Sequence, residues 1–170
     1  MLLLNPLTIL VAAAVIPAVI LLFEIYKYDR LEKESGGLLR SLVLKGIFAT
    51  ALAVVTERIG IAILGRMFPD DSFIYYVILM YVVVGLSEEG FKYLLLRMTT
   101  WNSPEFNCRF DGVVYAVFVS LGFALWENIS YVFTYGLGTA LVRAITAVPG
   151  HACFGVFMGT WYGLAKKQQL

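Results

Sequence analysis

Three ionisable residues stand close together inside an apolar stretch of this sequence. Glu88, Glu89 and Lys92 lie in the run 73–96, which is long and apolar enough to cross a membrane. Each charge at the bilayer centre costs roughly 2.5–3.5 kcal/mol on insertion scales, so this cluster predicts a functional site. On a helix, residues three and four apart are neighbours, so either carboxylate can pair with Lys92. We expect Lys92 to hold one carboxylate and to leave the other for chemistry.

Other polar residues at membrane depth could complete such a site. Glu127 with Asn128 lies in one apolar run, and His151 follows Pro149 and Gly150 in the next. A glutamate can act as general base for water, and an imidazole or carboxamide can donate to a developing oxyanion. This set of groups is typical of a hydrolase. Because proline removes a backbone hydrogen bond, we expect a helix break just before His151.

Several kinds of site are excluded or disfavoured by the composition. The chain has one histidine, so no H-E-x-x-H zinc site exists, and no serine–histidine or cysteine–histidine pair with an orienting acid is evident. Cys108 and Cys153 lie far apart, and we expect free thiols. We interpret Glu57 and Arg58 as a structural pair. Buried glutamates and a histidine also occur in proton and ion pathways, which stay an alternative for the whole set.

The elements that must position these residues are membrane-spanning helices. The chain of 170 residues is 60% hydrophobic and 15% charged, whereas soluble domains carry about 25% charge. We predict an all-α, polytopic transmembrane bundle in a single domain, residues 1–170. The first helix is expected to be retained and not removed as a signal peptide. About five spans are predicted, at residues 2–23, 42–64, 73–96, 112–135 and 139–164.

The basic residues predict the orientation of the bundle. Eight lie in the connections on one side, whereas the other side has only Arg66. The positive-inside rule then places the N-terminus outside and the C-terminus in the cytoplasm. Residues 24–41 are predicted to form a cytoplasmic interfacial helix or connector. The eight basic residues are Lys27, Arg30, Lys33, Arg40, Arg97, Arg109, Lys166 and Lys167.

Three sequence blocks in order carry a family resemblance, and they fall within residues 73–164. The first is E-E-x-x-K at 88–92, and the second is F-D-G-x-x-Y at 110–115 followed by G-F-x-x-x-E-N at 122–128. The third contains Arg143 and His151, with Gly155 and Gly159 after them. The chain resembles the PrsW family of membrane proteases and, more distantly, type II CAAX prenyl endopeptidases and bacteriocin-processing proteins.

The resemblance implies a multi-pass, membrane-embedded peptidase of the prokaryotic cytoplasmic (inner) membrane that cuts near the membrane boundary. Its expected substrate is a membrane-anchored protein, either anti-sigma-factor-like or another single-span protein, and its other partner is the lipid bilayer. No nucleic-acid partner is expected. Carried over by motif, the residues expected to be catalytic are Glu88, Glu89, His151, Glu127 and Asn128, and those expected to support them are Lys92, Asp111 and Arg143.

Two mechanisms are compatible with the resemblance. In the one that we favour, a glutamate activates water, His151 and Asn128 stabilise the oxyanion, and no cofactor is needed. In the other, Glu88, Glu89, Glu127 and His151 hold a divalent metal such as zinc with an open water position. One histidine among carboxylates is a poor ligand set for zinc, which prefers nitrogen and sulfur. A non-catalytic scaffold or a proton or ion transporter is the alternative from another functional class.

Overall fold

Short polar side chains mark where the first three spans begin. Asn5, Ser35 and Ser72 each accept a backbone N–H from the first helical turn that follows them, as N-capping residues do. A computed structural model describes residues 5–29 and 33–168. Its helices are α1 (Pro6–Tyr28), α2 (Gly36–Met67), α3 (Phe73–Val77), α4 (Leu86–Thr100), α5 (Arg109–Tyr135), α6 (Leu137–Ile145) and α7 (Ala147–Lys167), and a π-helical segment, Ile78–Gly85, joins α3 to α4.

Five helical stretches are long and apolar enough to cross a membrane, which confirms the predicted all-α polytopic fold. They are α1, α2, α3 through α4, α5, and α6 with α7. Within the described residues there is no strand. The orientation of the termini stays a prediction. For reference, the basic end of the bundle is the end where α1, α4 and α7 finish and α2 and α5 begin.

The helices extend beyond the apolar runs that predicted them. α2 begins at residue 36 instead of 42, and α4 ends at residue 100 instead of 96. Hydropathy reports the part of a helix inside hydrocarbon, whereas caps and loop residues decide where the helix ends. Residues 24–28 complete α1 and 36–41 start α2, so the described part of 24–41 forms no separate interfacial helix. Residues 2–4 of the predicted first span and residues 30–32 lie outside the described residues.

The central helix is α5, which packs against α7, α2 and α1. Glycines allow the closest approaches. A Cβ on Gly112 would lie 2.8 Å from the carbonyl oxygen of Gly159 in α7, and a Cβ on Gly46 in α2 would lie 2.1 Å from the carbonyl oxygen of Val119. Small residues of this kind let transmembrane helices pack backbone to backbone. Gly155, Gly159 and Gly163 of α7 face α5 in the same way, and their lack of a side chain lets α7 pack closely against it.

The fifth span is interrupted at Thr146, three residues before Pro149. Thr146 has φ −117° and ψ −71°, and it separates α6 from α7. A proline ring clashes with the carbonyl four residues earlier, here that of Ile145, so the irregular position falls just before the new helix. Pro149 lies in the first turn of α7, where a missing N–H leaves no hydrogen bond unmade. The predicted break before His151 is therefore present and begins one turn earlier than Pro149 itself.

A buried carboxyl group lies in the connection between α1 and α2. The hydroxyl of Tyr115 donates to Oε2 of Glu34 at 2.5 Å, and Glu34 is 7% exposed. The pKa of Glu34 is raised to about 7, mainly because the group is buried; the Tyr115 hydrogen bond offsets part of this rise, and the nearby carboxylates Asp111, Asp29 and Glu105 add to it. Protonated Glu34 therefore fits this position better than the carboxylate.

We predict that Glu34 makes the folded protein less stable as the pH rises. Its folded-state pKa of about 7 lies above the ordinary value of 4.5, so the free energy of unfolding falls between these pH values. Glu34→Gln keeps an acceptor for Tyr115 but cannot ionise. Thermal unfolding in detergent at pH 5 and pH 8 should show a smaller loss of melting temperature for Glu34→Gln than for the unsubstituted protein.

The exposed residue Glu24, which pairs with Lys27, provides the control. Glu24→Gln removes the same charge and should follow the unsubstituted protein at both pH values. If Glu34→Gln loses as much stability at pH 8 as the unsubstituted protein, ionisation of Glu34 is not what weakens the fold.

Candidate active site

A fully buried ammonium group, that of Lys92, lies at the centre of the polar cluster. Its Nζ donates to Oε1 of Glu89 at 2.7 Å and to Oε2 of Glu88 at 3.5 Å. It also lies 3.0 Å from Nδ1 of His151 and 3.9 Å from the centre of the Phe123 ring. The side chain of Lys92 is 0% exposed. Three helices, α4, α5 and α7, therefore surround one positive charge.

The two adjacent glutamates differ in how firmly Lys92 holds them. The 2.7 Å contact with Glu89 is a short, charge-assisted hydrogen bond, whereas 3.5 Å to Glu88 is at the limit for one. Glu88 also lines a cavity of about 150 Å³, together with Glu57 from α2 and Glu127 from α5. A water occupies about 30 Å³ in the liquid, so this volume admits a few waters. The sequence left open which glutamate is free; the geometry favours Glu88.

His151 is oriented by contacts on both sides of its ring. Nε2 lies 2.8 Å from Oε2 of Glu127, and Nδ1 faces Lys92. An ammonium group can only donate, so Nδ1 accepts and the ring proton lies on Nε2, which donates to Glu127. His151 therefore presents a lone pair, and not an N–H, toward Lys92 and the two glutamates.

A second set of hydrogen bonds fixes Glu127 from the other side. The guanidinium of Arg143, in the last turn of α6, donates from one terminal nitrogen to Oε2 of Glu127 at 2.7 Å and from Nε to Oδ1 of Asn128 at 2.6 Å. Asn128 in turn donates from Nδ2 to the carbonyl oxygen of Ala14 in α1 at 3.3 Å. The ring of Tyr131 lies 4.1 Å from the guanidinium carbon. α1, α5, α6 and α7 are thus joined through polar contacts at one depth.

The structure brings together seven of the eight site residues expected from the sequence and separates Asp111 from them. Asp111 lies at the start of α5, sixteen residues or roughly 24 Å before Glu127, where it accepts the N–H groups of Asn107 and Cys108. It therefore caps α5 at the basic end. Asn128 accepts from Arg143 and donates one of its two amide hydrogens to Ala14, so neither contact uses its second amide hydrogen.

Two carboxylates and an imidazole at the centre of the cluster are groups that can bind a divalent metal. One ligand atom from each of Glu88, Glu89 and His151 lies within 4.8 Å of the other two, and a neutral imidazole nitrogen such as Nδ1 of His151 is of the type that metals bind. Glu127 bonds the opposite ring nitrogen, where a carboxylate orients a ligating histidine. Glu127 is thus in an orienting position and is not part of the group of three, so its expected role as a fourth ligand stays a prediction. The residues fit a metal, although Lys92 contacts the same three groups.

Two residues at the site were not recognised from the sequence. Glu57 lines the cavity with Glu88 and Glu127, and among the described residues no ion pair joins it to Arg58, so the structural-pair interpretation was wrong. The sequence feature that could have indicated a site role for Glu57 is that it is the one acidic residue in the apolar run 42–64. Phe123 covers Lys92 and lies 5.5 Å from the His151 ring, between ring centres. Phe123 is the aromatic position of the G-F-x-x-x-E-N block, but the block alone did not indicate its contact with Lys92. Cys108 and Cys153 are free, as predicted.

Comparison with known proteins gives a consistent result. Residues 34–170 match the family described as PrsW family intramembrane metalloprotease. The chain is 34% identical to Protease PrsW of Halalkalibacterium halodurans over 94% of its length and 71% of that protein, and 32% identical to Protease PrsW of Oceanobacillus iheyensis over 92% and 69%. It is 30% identical to Protease PrsW of Bacillus subtilis over 92% and 69%. No solved structure matches the chain.

Proposed function

The chain belongs to the PrsW family of intramembrane proteases, and we propose that it cleaves membrane-anchored proteins with a water molecule activated by Glu88. The proposal rests on the unequal distances from Nζ of Lys92 to the two carboxylates, 2.7 Å to Glu89 and 3.5 Å to Glu88. Glu88, the more weakly bonded of the two, also lines the cavity. Anti-sigma-factor-like or other single-span proteins are the proposed substrates. The proposed location of this integral membrane protein is a prokaryotic cytoplasmic membrane, with the C-terminus inside.

In the proposed reaction, Glu88 acts as general base. It takes a proton from water while the water oxygen attacks the carbonyl carbon of the scissile peptide bond. The carbonyl oxygen becomes an oxyanion. Once Glu88 is protonated, the Lys92 N–H that points toward it at 3.5 Å can turn to the oxyanion and stabilise it. As the carbon–nitrogen bond breaks, the proton passes from Glu88 to the departing amine. Glu89 keeps Lys92 in place throughout.

The remaining residues act by positioning. Glu127 holds the ring of His151. The lone pair on Nδ1 of His151 accepts the third N–H of the Lys92 ammonium, whose other two point to the glutamates. Arg143 balances the charge of Glu127, and Asn128 orients Arg143. In this proposal Asn128 supports the site through Arg143, which its Oδ1 holds.

A metal-dependent reaction is the second candidate, because the donor set fits an ion and the family's description includes the word metalloprotease. Glu88, Glu89 and His151 would hold the metal, and Glu127 would orient His151. A bound divalent ion supplies a Lewis acid and a more acidic water. Lys92 would then have to move from its present contacts, because it occupies the directions in which the three ligands point.

We predict that the two adjacent glutamates respond differently to the same substitution. Glu88→Gln removes the proposed base and should lower the cleavage rate by about 10²–10⁴-fold, the usual contribution of a general base. Glu89→Gln keeps an oxygen that Lys92 can bond and should lower the rate by a smaller factor. The measurement is cleavage of a membrane-tethered substrate by purified protein in liposomes.

Glu105→Gln is the matched control, because Glu105 bonds Ser35 in the connections at the basic end, away from the cluster. It should cleave like the unsubstituted protein. A Glu88→Gln variant that cleaves normally, or one that is less impaired than Glu89→Gln, would contradict the assignment of the base. If the unsubstituted protein cleaves no substrate but conducts ions across the liposome membrane, a transporter would be favoured.

We also predict that cleavage does not depend on a metal. After dialysis against a strong chelator, the protein should retain its rate and melting temperature and should contain no stoichiometric metal by elemental analysis. If chelation abolishes cleavage, and zinc or another divalent ion restores it at about one ion per chain, the second candidate replaces the first. The melting temperature reports binding independently of activity.

A further inference from the structure

A groove on the outside of the bundle separates α1 from α2. The two helices scarcely touch, because each packs on α5 instead. The space between them has a volume of about 580 Å³, within the usual range of ligand pockets, about 300–1,000 Å³. Leu22 and Phe23 form one wall, Leu39 and Val43 form the other, and Phe118 of α5 forms the floor. This α1–α2 groove shares no lining residue with the cavity beside Glu88.

The groove opens sideways, toward the part of the surface that hydrocarbon covers. Val19 and Phe23 on its α1 rim are 48% and 56% exposed, and Leu44 on its α2 rim is 64% exposed. These rim residues belong to helices long and apolar enough to span a membrane. An occupant that enters from the side must therefore be apolar along most of its length.

Two cations lie at the basic end of the groove. Arg40 lines the groove and is exposed, and it makes no ion pair with any residue that the structure describes. Lys33 is also exposed, and its Nζ lies 4.3 Å from the ring centre of Tyr26, which lines the opposite wall. By contrast, Lys27 is already paired with Glu24. Among the described residues, one cation therefore lies on the α2 side of the mouth and one beside the α1 side, and the carboxyl groups of the same connection, Asp29 and Glu34, are buried.

We propose that the α1–α2 groove binds an anionic glycerophospholipid, with its phosphate on Arg40 and Lys33 and an acyl chain along Phe118. An arginine fork matches phosphate oxygens, and basic pockets between transmembrane helices bind anionic headgroups. The apolar part of the groove, along the helices, matches the acyl chain of such a lipid. The two cations, where α1 ends and α2 begins, match its phosphate. The bound chain fills the space that α1 and α2 leave between them.

The occupant is identified by lipid titration of the full chain, delipidated in detergent, with native mass spectrometry as the readout. Phosphatidylglycerol and phosphatidylcholine of equal chain length are the probes. We expect one phosphatidylglycerol to bind more tightly than phosphatidylcholine. Arg40→Gln should weaken phosphatidylglycerol binding by about tenfold or more, as expected from the loss of a hydrogen bond to a charged group, and should leave phosphatidylcholine unchanged.

Two further variants make the test specific. Arg58→Gln removes another exposed arginine of α2 that does not line the groove, and it should bind both lipids normally. Val19→Trp enlarges an exposed rim residue and should weaken both lipids by obstructing the groove. Each variant is first checked for an unchanged melting temperature without added lipid.

The proposal is overturned if the unsubstituted protein binds both lipids equally, if Arg40→Gln binds phosphatidylglycerol normally, or if Arg58→Gln is impaired to the same degree as Arg40→Gln. It is also overturned if the protein forms a dimer that Val19→Trp dissociates, because the occupant would then be a second copy. None of these outcomes involves cleavage, so they are independent of the proposed peptidase activity.

Discussion

The rest of the site depends on the complete burial of one ammonium group. Removing a charge from water costs several kcal/mol even after relaxation, so Lys92 is tolerated only because it has partners in every direction. Two carboxylates, one imidazole nitrogen and an aromatic face supply them. These partners come from α4, α5 and α7, and burying Lys92 therefore requires three helices to meet at one depth. The same requirement gives Glu89 and His151 fixed positions and leaves Glu88 beside the cavity.

Charge compensation spreads outward from Lys92 through a series of contacts. His151 links Lys92 to Glu127, Glu127 accepts from Arg143, and Asn128 connects Arg143 to the backbone of α1. Each buried polar group along this series has a partner, which is what a low-dielectric interior demands. The break at Thr146 separates the helix that carries Arg143 from the helix that carries His151, so both side chains reach Glu127.

The apolar runs and the cost of placing charges in a membrane predicted the spans and the polar cluster. The contacts between helices, which determine the geometry within the cluster, could not be predicted from the sequence. The spans follow from apolar runs, and the pairing of Lys92 with a neighbouring glutamate follows from spacing on one helix. Both glutamates lie within reach of Lys92 on one helix, so sequence spacing could not indicate which contact is shorter. Glu57 and Phe123 were missed because their roles come from helix contacts between distant parts of the chain. Asp111 was expected to support the site because a motif contains it, and the structure shows it capping a helix away from the cluster.

The most direct test of this account is a pair of double-mutant cycles on the free energy of unfolding in detergent. One combines Lys92→Met with Glu89→Met, and the other combines Lys92→Met with Glu88→Met, because methionine removes the contact on either side. The account predicts a coupling energy for Lys92 and Glu89 of about 0.5–3 kcal/mol, the usual range for residues in contact, and a smaller one for Lys92 and Glu88. Equal coupling, or stronger coupling to Glu88, would contradict the claim that Lys92 holds Glu89 and leaves Glu88 for chemistry.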